Sequence, residues 1–117
     1  FLNSGSKIVL EVPNADDLML ESCLAYRGFY WQRPHISYFT PVTLAKIFKR
    51  AGIKKYKLIF QQRYGFTNAL SWLENGKTQM ITPTYHLSGN YSWVDDFYKQ
   101  YLIKKKISDT IIAVITG

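Results

Sequence analysis

The chain has 117 residues, 47% of them apolar, and a net charge of +7. This length holds one domain or part of one, and the apolar share excludes a disordered polyelectrolyte. No apolar run reaches the length of a membrane span, and the single cysteine, Cys23, excludes an internal disulfide and a thiolate metal centre.

Asn3-Ser4-Gly5 reads as a turn, and residues 6–12 as a strand. Ile8-Val9-Leu10 is a continuous apolar run, as expected of a strand covered on both faces. Pro13 stops it by removing a backbone donor. Asn14 is then expected to cap a short helix over residues 15–24, with Asp16 and Asp17 at its positive end. Residues 26–39 are aromatic and mixed, and read as a loop. Thr40 and Pro41 predict a helix start, Leu44, Ile47, Phe48 and Ala51 share one face, and Gly52 is the stop.

Residues 56–62 alternate, with Tyr56, Leu58 and Phe60 on one side and Lys57, Ile59 and Gln61 on the other: a strand wetter on one face. Residues 66–73 predict a helix ended by Asn75-Gly76, and residues 78–90 a second loop. Ser92 is expected to cap a helix over residues 93–105, with Val94, Phe97, Tyr101 and Leu102 toward the core. Residues 111–115 form a fully apolar last strand. Strand, helix, helix, strand, helix, helix, strand is an α/β order, a small sheet flanked by helices. Its first strand leaves an open edge, suited to self-association.

Several blocks carry a family resemblance. Ser4-Gly5-Ser6-Lys7-Ile8-Val9-Leu10-Glu11-Val12-Pro13-Asn14 resembles the fifth strand of class I S-adenosylmethionine-dependent methyltransferases. The segment from His35-Ile36-Ser37-Tyr38-Phe39-Thr40-Pro41 to Ala51-Gly52 is similar to a block of the sugar-directed members. Gln62-Arg63-Tyr64-Gly65-Phe66-Thr67-Asn68, with Ser71-Trp72-Leu73 and Gly76-Lys77, looks like a block of methyltransferases from surface-polysaccharide biosynthesis, and Ser108-Asp109-Thr110 also fits.

The resemblance spans nearly the whole chain. It implies the C-terminal, acceptor-side half of a Rossmann-like methyltransferase fold: a small mixed three-stranded sheet whose last strand is antiparallel and central. Residues 1–117 would be a single partial domain, with the N-terminal cofactor-binding half outside it. The implied cofactor is S-adenosylmethionine. The implied acceptor is a sugar or nucleotide-sugar, and the piece alone is expected to be inactive. The glycine-rich loop and the acidic residue that hold the cofactor in the family are absent here, and Pro34 stands where several sugar C-methyltransferases carry an acid.

Methyl transfer needs donor and acceptor positioned and a proton removed from the acceptor. His35 is the candidate base, since imidazole titrates near neutrality, at about 6.5; the plainer reading is a loop histidine bonded to backbone. Tyr38 and Tyr26 are candidates to line an acceptor pocket, or else pack as ordinary aromatics. Arg63, at a strand end where α/β sites open, suits a phosphorylated group; Arg33 has the same chemistry on a surface loop. Asn68 and Trp72 share a helical face and either support that site or pack. Glu11, inside an apolar strand, needs an ion-pair partner or a wet crevice. Neither histidine has metal-ligand spacing, and Cys23 reads as an inert small apolar residue.

Two other classes remain open. Basic and aromatic residues interleave over residues 54–60 and 98–106, as in single-strand nucleic-acid binders. No RNA-recognition, helix-turn-helix or zinc-finger pattern accompanies them, so nucleic acid is not the expected partner. A non-catalytic interaction domain, using the open sheet edge, is the other. A cytoplasmic protein is expected, because no leader pattern opens the chain.

Overall fold

The computed structural model describes residues 3–31, 37–79, 82 and 85–117. The elements in order are β1 (Lys7–Pro13), α1 (Leu18–Ser22), α2 (Leu24–Tyr30), α3 (Pro41–Arg50), β2 (Tyr56–Gln61), α4 (Phe66–Asn75), α5 (Ser92–Lys105) and β3 (Thr110–Thr116). A 3-10 turn over Gly89–Tyr91 leads into α5.

The sheet order is β1-β3-β2, with the last strand, β3, antiparallel and central as the resemblance implied. Leu10 and Leu58 both lie opposite Ala113, and Val12 and Phe60 both lie opposite Ile111. Both ladders are antiparallel. The expectation of a mixed sheet is therefore corrected. β1 and β2 run the same way, but β3 separates them and no parallel ladder forms.

One face of the sheet holds Ile111, Ala113 and Ile115, which α3 covers with Leu44 and Phe48. The opposite face carries Val9, Ile59, Ile112 and Val114, none of which is buried. Ile8, Val9 and Leu10 are 40%, 63% and 39% exposed, against the expectation of a strand covered on both sides. The cause is position. β1 is an edge strand, and the buried cluster is centred on β3.

A second cluster sits at one end of the sheet, where α1, α2 and α4 bring together Met19, Leu20, Cys23, Tyr26, Ala69 and Trp72. It forms differently from the predicted loop and helix. Asn14 is drawn into the sheet end, fully buried, and its amide donates to the carbonyls of Ser108 at 2.7 Å and Lys106 at 3.2 Å. The helix therefore starts at Leu18 and Asp17 caps it, accepting the Met19 N–H at 2.9 Å. Part of the predicted loop over residues 26–39 is α2: Tyr26, Phe29 and Tyr30 follow helical spacing. Extended Cys23 separates α1 from α2, and its thiol donates to the Trp72 carbonyl at 3.3 Å.

α3 begins as predicted, with Pro41 in its first turn and Thr40 and Thr43 capping each other. α4 has no side-chain cap of its own at Gly65. Asp95 of α5 supplies one, accepting from the N–H of Phe66 at 2.7 Å and of Leu87 at 2.6 Å. That contact sets the rotation of α5. Asp95 and Leu102 are buried and Tyr98 half-buried along one stripe, while Phe97 and Tyr101, expected in the core, are 69% and 47% exposed. Among the described residues no helix is long and apolar enough to cross a membrane.

Candidate functional site

Because β3 is antiparallel to both neighbours, its start meets the C-terminal ends of β1 and β2. Pro13 and Gln61 both lie opposite Thr110. A cleft of about 360 Å³ opens there, within the usual span of small-molecule sites, roughly 300–1,000 Å³. β1 contributes Glu11, Val12 and Pro13 to it, and α2 contributes Tyr26, Phe29 and Tyr30. Tyr38 closes one side, and Arg63, Tyr64, Asp109 and Thr110 form the floor and far wall.

Four of the residues singled out in the sequence, Glu11, Tyr26, Tyr38 and Arg63, are thus brought to one cleft from four separate segments. The Arg63 guanidinium donates to the Glu11 carboxylate across the mouth, each side chain about half exposed (45% and 48%). This is the ion-pair reading of Glu11, in a wet setting. Asn68 lies elsewhere. It is buried at 4%, its side-chain oxygen accepts the Gln79 N–H at 3.2 Å, and it lines a separate small space beneath the cleft with Trp72. Its position supports packing of α4. His35, the candidate base, and Arg33 lie outside the described residues.

Under the cleft sit two buried carboxylates. Asp109 accepts from the N–H of Arg63 at 2.9 Å and of Tyr64 at 3.3 Å, and from the Thr110 hydroxyl at 2.7 Å. Burial raises its pKa, while the Thr110 hydroxyl and those two N–H groups pull it down. Asp17 accepts the Tyr26 hydroxyl at 2.7 Å. Burial pushes the Asp17 carboxyl up to about 6; the bonds from Tyr26 and Met19 oppose this, and the Asp109 charge adds to it. Burial also raises the pKa of Tyr26 and Tyr30, so both hydroxyls keep their protons.

The aromatic wall is continuous. Tyr30 contacts Tyr26 at 5.8 Å and Tyr38 at 5.1 Å between ring centroids, and Trp31 packs edge-on to Tyr38 at 4.6 Å. Tyr30, Phe29, Tyr64 and Thr110 were not singled out as site residues from the sequence. Tyr30 follows Tyr26 by one helical turn, a signal hidden while that stretch reads as a loop. Asp109 had a visible signal: an acid directly before an all-apolar strand.

A side-chain carbon built at Gly5, Gly28, Gly52 or Gly89 meets nothing within 4 Å, and Gly65 is pressed against Asp95. Among the described residues these glycines do not form the glycine-rich loop that the resemblance would require to hold S-adenosylmethionine. No family model matches the chain, and no curated protein or solved structure matches it either.

Proposed function

We propose that the chain is the acceptor-side half of an S-adenosylmethionine-dependent methyltransferase acting on a sugar or nucleotide-sugar, inactive without a donor-binding half. The observation that carries the reading is the convergence of Glu11, Tyr26, Tyr38 and Arg63 on one cleft at the strand ends, where ligands of open α/β sheets bind. The antiparallel last strand lying between the other two agrees with it, as do the sequence blocks around Tyr38 and Arg63. The exposed edge of β1 is where a parallel strand of the donor half would pair. In this reading His35 is the base and the aromatic wall orients the acceptor. The test is transfer of labelled methyl from S-adenosylmethionine to sugar nucleotides by the gene-length protein. His35→Ala abolishes turnover and leaves cofactor affinity intact; unchanged turnover removes His35 as the base.

A second reading, a non-catalytic interaction domain, is favoured by one observation. Ser6 bonds to Gly117 and Asn14 to Asp109 at the two ends of the β1–β3 ladder. Even-numbered residues of β1 therefore turn their backbone groups to β3, and Lys7, Val9 and Glu11 turn theirs outward. Antiparallel pairing of two copies centred on Val9 would set Lys7 of each opposite Glu11 of the other, a self-complementary edge.

A further inference from the structure

The cleft wall has a polarity that its residue types alone do not reveal. The hydroxyls of Tyr26, Tyr30 and Thr110 point into the protein. The Tyr26 hydroxyl donates to Asp17 and the Tyr30 hydroxyl to the Asn14 carbonyl, each at 2.7 Å. The Thr110 hydroxyl donates to Asp109 at 2.7 Å. The N–H groups of Arg63 and Tyr64 are spent on the same carboxylate. A hydroxyl that has given its proton inward keeps lone pairs that accept. What these groups turn to the cleft is acceptor oxygens, ring faces and carboxylates, with the Tyr64 hydroxyl as a donor beside them. The one cationic side chain among the described lining residues, Arg63, is at the mouth and already paired with Glu11.

A phosphate only accepts hydrogen bonds, so it finds few partners on this wall. A ligand rich in donors and carrying positive charge finds many. Tyrosine faces attract a cation, and carboxylates take charge-assisted bonds from an ammonium. A pyranose adds apolar C–H faces for the rings and hydroxyl donors at its rim.

We infer that the cleft takes an amine-bearing sugar unit, held through its ammonium and hydroxyl donors, in preference to a phosphorylated one. The sugar part rests on the acceptor-site reading above; the preference for a donor-rich cation rests on the wall itself. Glu11 is the specificity-determining residue. It offers a carboxylate to the ammonium and keeps Arg63 from an anion.

The test titrates glucosamine, glucose and glucose 1-phosphate into the chain near neutral pH. Binding is read by tryptophan fluorescence, since Trp31 packs on Tyr30 and Tyr38, and by amide chemical shifts around the cleft. Glucosamine is expected to bind about fivefold tighter than glucose, the scale of one partly exposed charge pair, and glucose 1-phosphate weakest. Glu11 is half exposed on an edge strand, so Glu11→Gln keeps the fold; it is expected to shrink the glucosamine advantage and to strengthen glucose 1-phosphate by freeing Arg63. Tightest binding of glucose 1-phosphate, equal binding of the three, or no shift of the cleft residues with any of them overturns the inference. The titration needs no methyl transfer. Glucosamine binding by the chain, with no methyl transfer by the gene-length protein, would sink the methyltransferase reading alone, and methylation of a phosphorylated sugar bound more tightly would sink this inference alone.

Discussion

The Tyr26 hydroxyl donates to the Asp17 carboxylate at 2.7 Å, joining α2 to the cap of α1 directly beneath the cleft. Asp17 is 2% exposed, and burial sets its proton affinity. Its folded pKa of about 6 lies above the ordinary 3.8, so the folded state holds the proton more tightly than the unfolded chain. Stability from this group is full below about pH 3.8 and is lost as pH rises through about 6. The total is on the order of 3 kcal/mol. Asp109 shifts in the same direction. Asp17→Asn keeps a capping oxygen and removes the titration. Urea midpoints measured across this range should show wild type losing stability relative to Asp17→Asn as pH rises; parallel curves for the two proteins contradict the assignment.

Asn14 ties β1 to the chain before β3. Its amide serves two carbonyls, its oxygen accepts the Asp16 N–H at 3.0 Å, and its own carbonyl takes the Tyr30 hydroxyl. Asn14→Ala strands three buried or part-buried backbone groups and is expected to cost about 3 kcal/mol. Chemical denaturation reads this directly, and a loss under about 0.5 kcal/mol would show that the site is wet or rearranges.

Gly65, which precedes α4, sits against Asp95 of α5. A side-chain carbon there would lie 2.7 Å from Asp95 Oδ1, the oxygen that also accepts the Phe66 N–H. Gly65→Ala must push Asp95 off the α4 terminus, at an expected cost of about 1–3 kcal/mol. Thermal melts of Gly65→Ala, Asp95→Ala and the double variant should be non-additive, because both changes break one contact. Simple additivity contradicts the shared-contact account.

The free edge of β1 gives a prediction about association. If two copies pair there, light scattering shows mass rising with concentration, and Val9→Lys abolishes the rise by placing a charge at the centre of the pairing. A monomer at every concentration in the wild type leaves the edge to another strand, as the methyltransferase reading requires.

The sequence made some of this legible. β1 and β3 were visible because apolar β-branched runs sit near turn residues, β2 because its residues alternate, and α3 because Thr40, Pro41 and Gly52 mark its ends within a residue or two. Tyr26, Tyr38, Arg63 and Glu11 could be named because each has unusual chemistry for its place. The remainder depended on tertiary contacts. Asn14 looks like a helix cap until the Ser108 carbonyl claims its side chain. α5 looks as though Phe97 and Tyr101 face inward until Asp95 turns to cap α4. The inward direction of the tyrosine hydroxyls, which decides what the cleft can bind, is fixed by partners far away in sequence.

The most direct test of the central claim is to read the coding sequence immediately upstream of Phe1. The methyltransferase account predicts an open frame encoding a strand followed by a glycine-rich loop, the missing donor-binding half. A stop codon, or an initiator directly before Phe1, would contradict it and leave the interaction-domain reading in its place.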